Sequence, residues 1–248
     1  LKAQKLSVQP FKKGPDYIDP IWLSQASGRA CYNLDFYNMT ESEILQLYSD
    51  KNSTADISII EGNKGLYDGM SVTGGDSNAD LAKLLNLPVV LVIDSIGITR
   101  GVAALVKGYQ AFDTDVNIAG IILNKVAGER HESKLIQAIE HYTDLDVIGS
   151  IRRSKELIID ERHLGLMPAN EKPQSQHFID SASRLIAEQV DLNKIINFEK
   201  NIQTAIVPTI NITPAKLKVG VAKDSSFGFY YQDDLDKFNQ LGVELLYF

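Results

Sequence analysis

Four short apolar runs in this chain each end on a polar or charged side chain, and that pattern limits the fold more than any other feature. Leu6–Lys12 ends on Lys12, Ile57–Glu61 on Glu61, Leu87–Asp94 on Asp94 and Val116–Asn124 on Asn124. The last three are apolar rather than alternating, as in parallel strands buried on both faces. Helical stretches separate them. Strands alternating with helices predict an α/β fold, a mostly parallel sheet with helices on both faces. Open sheets of this kind bind ligands outside the C-terminal ends of their strands. The four polar ends therefore mark one edge of the sheet as the place for chemistry.

Punctuation fills in the rest. Helices are expected over Ile21–Ser27, closed by Gly28, and from Thr40, where Glu43 three residues on makes a capping-box pattern. Further helices are expected over Ala79–Asn86, Gly101–Phe112, Glu129–Tyr142, Gln176–Val190 and Leu192–Phe198. Asp146–Ile151 reads as another strand, and Ser71–Asn78 as a polar, mobile loop. Residues 1–198 make one expected domain. Residues 199–216, with Pro208 and Pro214, read as a linker. Residues 217–248 begin a second α/β unit: strand Leu217–Ala222, helix Asp233–Leu241 capped by Gly242, strand Val243–Phe248. The chain opens on Leu1 without Met, and its final strand stops abruptly, so a fragment cut at both ends is expected.

Composition removes several function classes. A formal net charge of −7 over 248 residues argues against a sequence-independent grip on nucleic acid. No apolar run reaches the ~18 residues of a membrane helix. One cysteine, Cys31, allows no internal disulfide, which suits a cytoplasmic protein.

Two loops carry the candidate chemistry. Lys12-Lys13-Gly14-Pro15-Asp16-Tyr17-Ile18-Asp19-Pro20 places lysines and carboxylates together after a strand. Such a mixture suits phosphate and magnesium, lysine meeting phosphate oxygens and a carboxylate reaching the metal or its waters. Glu61 follows the next strand, and Gly65 and Gly69 bracket Leu66-Tyr67-Asp68. The plain alternatives are turn roles for Asp16 and Asp68, core packing for Tyr17 and Ile18, a helix cap for Asn124, and a packing or surface role for His163.

Five motifs, in order, resemble the cobyrinic acid a,c-diamide synthase family: V-Q-P-F-K-K-G-P-D-Y-I-D-P from Val8, N-L-D from Asn33, E-G-N-K-G-L-Y-D-G from Glu61, I-L-N-K-V from Ile122 and E-R-H-L-G-L from Glu161. The resemblance spans nearly the whole chain. It implies a P-loop-NTPase-like synthetase domain related to dethiobiotin synthetase, then the truncated start of a class I glutamine amidotransferase domain. It also implies an ATP- and magnesium-dependent, cytoplasmic ligase that turns two acetate side chains of a tetrapyrrole into amides, with ammonia from glutamine and acyl phosphates on the way. It leaves a homodimer open.

By the same resemblance, Glu61 and Asp16 are expected at magnesium, and Lys12, Asn124 and Lys125 at the nucleotide. Tyr17 and Ile18 are expected at the ring, and Asp68 with Asp16 at the acyl-phosphate step. Two departures stand out. No G-x-x-x-x-G-K-[ST] phosphate loop is present, so the chain alone is expected to bind ATP poorly, and Arg152-Arg153 stands where the family has Pro-Arg. Lacking the glutaminase nucleophile as well, it is expected to be inactive by itself. Sirohydrochlorin or its nickel form is an alternative ring. A partition-type ATPase is the alternative of another class, disfavoured by the acidic balance.

Overall fold

The computed structural model describes residues 1–158, 161–162, 165–166, 168–171, 175–198, 217–224 and 226–248. The linker expected over 199–216 and the role weighed for His163 lie outside these residues. The chain forms two compact units, Leu1–Gly65 with Ile159–His177 and Thr204–Phe248, and Leu66–Ile158 with Phe178–Gln203.

The first unit is built on three parallel strands, β1 (Val8–Lys13), β2 (Tyr32–Leu34) and β3 (Ile57–Glu61), in the order β2-β1-β3. On one face the fully buried Phe11 ring lies 5.2 Å from Tyr48 of α2 (Glu41–Asn52) and 6.4 Å from Tyr32. The expected capping box starts α2: Thr40 Oγ1 accepts from the Glu43 amide, and Glu43 Oε2 accepts from the Thr40 amide at 2.8 Å. A helix α1 (Ile18–Ser27) packs on β1 and carries the buried Trp22. It begins three residues earlier than expected. Pro20 falls within its first turn, where the missing N–H has no intrahelical partner to lose.

At the N-terminal end of the sheet, buried Gln9 is fully engaged. Its Nε2 donates to Ala30 O at 2.8 Å, and its Oε1 accepts from Arg29 Nε at 3.0 Å. Arg29 reaches on to Ser7 Oγ and Thr54 O, tying three chain segments together. The segment β9 (Lys218–Val221), α8 (Gln232–Gln240) and β10 (Glu244–Tyr247) belongs to the same unit, with β9 and β10 paired in parallel. Asp236 of α8 accepts from the Tyr32 hydroxyl at 2.7 Å and from Lys51 Nζ at 2.8 Å. Short strands β7 (Glu161–Arg162) and β8 (Gly165–Leu166) form an antiparallel pair.

The second unit holds the parallel strands β4 (Val89–Asp94), β5 (Ile118–Val126) and β6 (Val147–Arg152), with β5 central. Alternate side chains of β5 feed two cores. Ile121 and Leu123 pack with Val102 and Val106 of α4 (Gly101–Phe112) and Leu135 and Ile139 of α5 (Glu129–Tyr142). Ile122 packs with Ile186 of α6 (Ser175–Gln189) and Ile195 of α7 (Leu192–Phe198). Helices thus cover both faces, as the apolar runs predict. Gly149 lets the chain after α6 approach β6, since a Cβ there would lie 2.7 Å from Val190 Cγ2.

Two local expectations change. The three residues of β2 are too few to show a periodic pattern, and that strand was not foreseen. The run Ile57–Ile60 is not fully buried: β3 pairs on one side only among the described residues, and Ile59 is 39% exposed. Val92 of β4 is likewise exposed. At the loop Ser71–Asn78, two aspartates accept from backbone amides. Asp76 Oδ2 accepts from the Met70 amide at 2.8 Å. Asp80, in α3 (Asn78–Leu84), accepts from the Gly75 amide at 2.8 Å and forms a capping box with Ser77.

Partial burial opposes the charge on Asp80, but the Ser77 and Gly75 donors outweigh it and pull its pKa down to about 2. A folded-state pKa below the unfolded value of ~3.9 gives stability that is present above about pH 4 and lost as pH falls through about 2. Asp80→Asn is expected to lose about 1–2 kcal/mol at neutral pH, with the gap to the parent closing in acid, as read by urea unfolding against pH.

Candidate active site at the strand ends

The pairing register builds the site. Lys12 of β1 stands opposite Asn33 of β2 and Glu61 of β3, so the three side chains share one row and one face. Lys12 is 3% exposed, and its Nζ lies 2.6 Å from Asp19 Oδ2 and donates to Gly62 O at 3.1 Å. Glu61 Oε2 is 3.7 Å away and Asp16 Oδ2 3.8 Å away. Burial works against the ammonium, but Asp19, Glu61 and Asp16 outweigh it and hold the Lys12 pKa above its ordinary value. Glu61 is pushed up by desolvation at the strand end, an effect Lys12 partly offsets.

Asp16 does two jobs. Its Oδ1 accepts from the amides of Ile18 at 2.8 Å and Asp19 at 3.1 Å, closing the first turn of α1, while Oδ2 faces Lys12. The turn role and the charged role therefore coexist. The loop between Lys13 and Asp16 is held from inside by Asn33, whose Nδ2 donates to Gly14 O at 2.9 Å and Asp16 O at 2.7 Å. Gly14 takes φ +81°, a left-handed conformation that suits glycine, and donates to Leu34 O. Asp35, buried at the end of β2, accepts from the Tyr37 amide and the Asn38 side chain. Asp19 and Asn33 are thus central, although within this cluster roles were expected for Lys12, Asp16 and Glu61 and for neither of these two. The signal for Asn33 is its register with Lys12, which requires knowing β2.

Tyr17 stacks on Tyr231 and Phe229. Ile18 starts α1 and is half-buried. Asp68 is exposed and belongs to the second unit, as do Asn124 and Lys125. Buried Cys31 sits among the same acids as Lys12; burial first, and Glu61 next, push its thiol up, away from nucleophilic character.

The strand ends of the second unit form their own polar crest. Lys125 Nζ meets Asp94 Oδ2 at 2.8 Å, and the Lys125 pair and the Ile96 amide hold the exposed Asp94 below the usual carboxylate range. Asn124 Oδ1 accepts from the Lys125 amide at 2.8 Å. Arg153 Nε donates to Lys125 O at 3.2 Å, and Arg152 reaches Glu129 and Glu132. His131 pins two loops of this crest: its Nε2 lies 2.7 Å from Ile98 O, and its Nδ1 accepts from the Ala127 amide at 3.2 Å. That pairing selects the tautomer protonated on Nε2.

Parallel strands flanked by helices give an α/β architecture, and the chain belongs to the AAA domain family, whose model matches residues 16–159. Within that family its homologues are cobyrinate a,c-diamide synthases. It is 44% identical to the one from Magnetococcus marinus, over 100% of this chain and 55% of that protein. Identity is 41% to the one from Methanosarcina acetivorans, over 100% of this chain and 53% of that protein. It is 40% to the one from Methanobrevibacter smithii, over 99% of this chain and 56% of that protein. The chain thus spans a little over half the length of these curated relatives. No helix among the described residues is long and apolar enough to cross a membrane.

Removing Lys12 would leave three carboxylates facing one another around a buried gap. Lys12→Met is expected to destabilise the protein by about 3 kcal/mol at pH 7. The deficit is expected to shrink toward pH 4, as Glu61, whose pKa is already raised by desolvation, takes up a proton. Denaturant unfolding at the two pH values checks both.

Proposed function

We propose that this sequence forms the carboxylate-activating part of an ATP- and glutamine-dependent ligase that amidates the a and c acetate side chains of cobyrinate. The observation that carries the reading is the Lys12 ammonium held among Asp16, Asp19 and Glu61 at the ends of parallel strands, in a chain 44% identical to a cobyrinate a,c-diamide synthase.

The chemistry follows from what an amide requires. A carboxylate is a poor acyl donor at neutral pH. Transfer of the γ-phosphoryl group from ATP to a carboxylate oxygen makes an acyl phosphate and releases ADP; ammonia then adds to the carbonyl carbon, loses a proton, and phosphate leaves with the electron pair of the broken C–O bond. The protein must line up two anions and neutralise the charge between them. In this reading Lys12 faces the γ-phosphate and sets the spacing of the three acids. Glu61 and Asp16 would hold magnesium. Magnesium uses one or two protein carboxylates and fills its other positions with phosphate and water, so this hard-oxygen set fits it. When bound, it would supply positive charge against the phosphate.

Asp68 organises the acyl-phosphate step together with Asp16. Tyr17 and Ile18 contact the ring, and Asn124 with Lys125 contacts the nucleotide. Ammonia comes from glutamine through a class I amidotransferase domain whose first elements are β9, α8 and β10. The location is the cytoplasm.

The test uses this sequence within a chain of the relatives' full length. It is given ATP, magnesium and glutamine, with cobyrinate and sirohydrochlorin offered in turn, and products are weighed by mass spectrometry. Two carboxyl-to-amide changes on cobyrinate are expected. Turnover of sirohydrochlorin alone would change the substrate, and no amidation of either ring would overturn the reading. Asp16→Asn keeps acceptors for the α1 cap but removes the charge. It and Glu61→Gln are each expected to lower kcat about 100-fold, and each is expected to lower thermal stability as well, because each takes a counter-charge from the buried Lys12.

A further inference from the structure

Phe229 and Tyr231 take no part in the amidation chemistry above, yet they grip a residue beside its charged centre. Tyr17 occupies the N-cap position of α1, and Tyr231 occupies the same position in α8. Their rings stack at 4.5 Å with planes 11° apart, and Phe229 adds a second ring at 5.7 Å and 18°. Two helices from distant parts of the chain therefore begin against each other through stacked tyrosines. A cavity of about 240 Å³ adjoins the stack, bounded by Tyr17, Tyr231, Asp234 and Leu245 among others.

Residues 16 to 19 act as one turn, because the Asp16 carboxylate binds the amides of Ile18 and Asp19. At the far side of that turn Asp19 binds Lys12 at 2.6 Å. Tyr17 is the one side chain of the turn that reaches the β9–α8–β10 segment through a ring stack. The Asp236 contacts to Tyr32 and Lys51 fasten the same segment to β2 and α2, so it can serve as a fixed wall.

We propose that Tyr17, clamped by Tyr231 and Phe229, is a positioning residue through which the β9–α8–β10 segment sets the placement of the Asp16 and Asp19 carboxylates. Phosphoryl transfer between two anions is sensitive to displacements of about 1 Å. A one-residue lever between the clamp and each neighbouring acid is short enough to transmit a shift of that size through packed groups. The catalytic consequence rests on the amidation reading; the mechanical coupling does not.

The experiment uses a chain of the relatives' full length and compares Tyr231→Ala with Tyr231→Phe, which keeps the stacked ring. Phe229→Ala is a second, exposed-site variant. Amide hydrogen exchange at Ile18 and Asp19 is expected to quicken about tenfold in Tyr231→Ala, less in Phe229→Ala, and to stay at the parent rate in Tyr231→Phe. Amidation from ammonium or glutamine is expected to fall about tenfold in kcat in Tyr231→Ala and to recover in Tyr231→Phe. Glutamine hydrolysis is expected to hold. Unchanged exchange in both alanine variants would overturn the proposal, as would quickened exchange with unchanged kcat. If the parent amidates neither ring from either nitrogen source, the amidation reading fails, and the exchange arm alone decides the coupling.

Discussion

One ammonium organises the first unit. Lys12 is buried, so its charge is tolerable only because Asp19, Glu61 and Asp16 surround it and Gly62 offers a carbonyl. Those partners come from four places: the loop before α1, the first turn of α1, the end of β3 and the loop after it. Meeting the needs of one cation therefore fixes where β3 stops, where α1 starts and how the loop between β1 and α1 turns. The cluster still carries more negative than positive charge, which suits a site built to receive a cation and a phosphate together.

The two ends of the β2-β1-β3 sheet are chemically unlike. At the N-terminal end, Gln9 and Arg29 close a network in which the buried amide is satisfied on both its atoms. At the C-terminal end, carboxylates outnumber their cation. The first arrangement ties segments together; the second leaves electrostatic demand unmet by protein. Parallel sheets put all strand C-termini on one edge, so the asymmetry follows from topology and needs no further device.

Much of this was legible in the sequence. The apolar runs of β4 and β5, the Thr40–Glu43 box and the polar residue closing each strand all follow from period and residue type. What escaped was what only pairing can reveal. The strand β2 shows no pattern in three residues, and without it Asn33 is just an amide in a loop. Asp19 was visible in the same motif as Asp16, but chain distance does not say that it, rather than Asp16, lies closest to Lys12. Tyr17 reads naturally as a ring contact, while its stacking partners lie more than two hundred residues away. The half-exposure of β3 depends on which strands flank it, which an apolar run cannot state.

The helix that carries Asp19 also carries Trp22, the single tryptophan of the chain, three residues further on and 8% exposed. Its indole is packed one turn from the carboxylate that grips Lys12. The molecule therefore contains its own optical probe: the emission of one native fluorophore reports on the helix that begins beside the charged cluster, with no label added and no second tryptophan to obscure it.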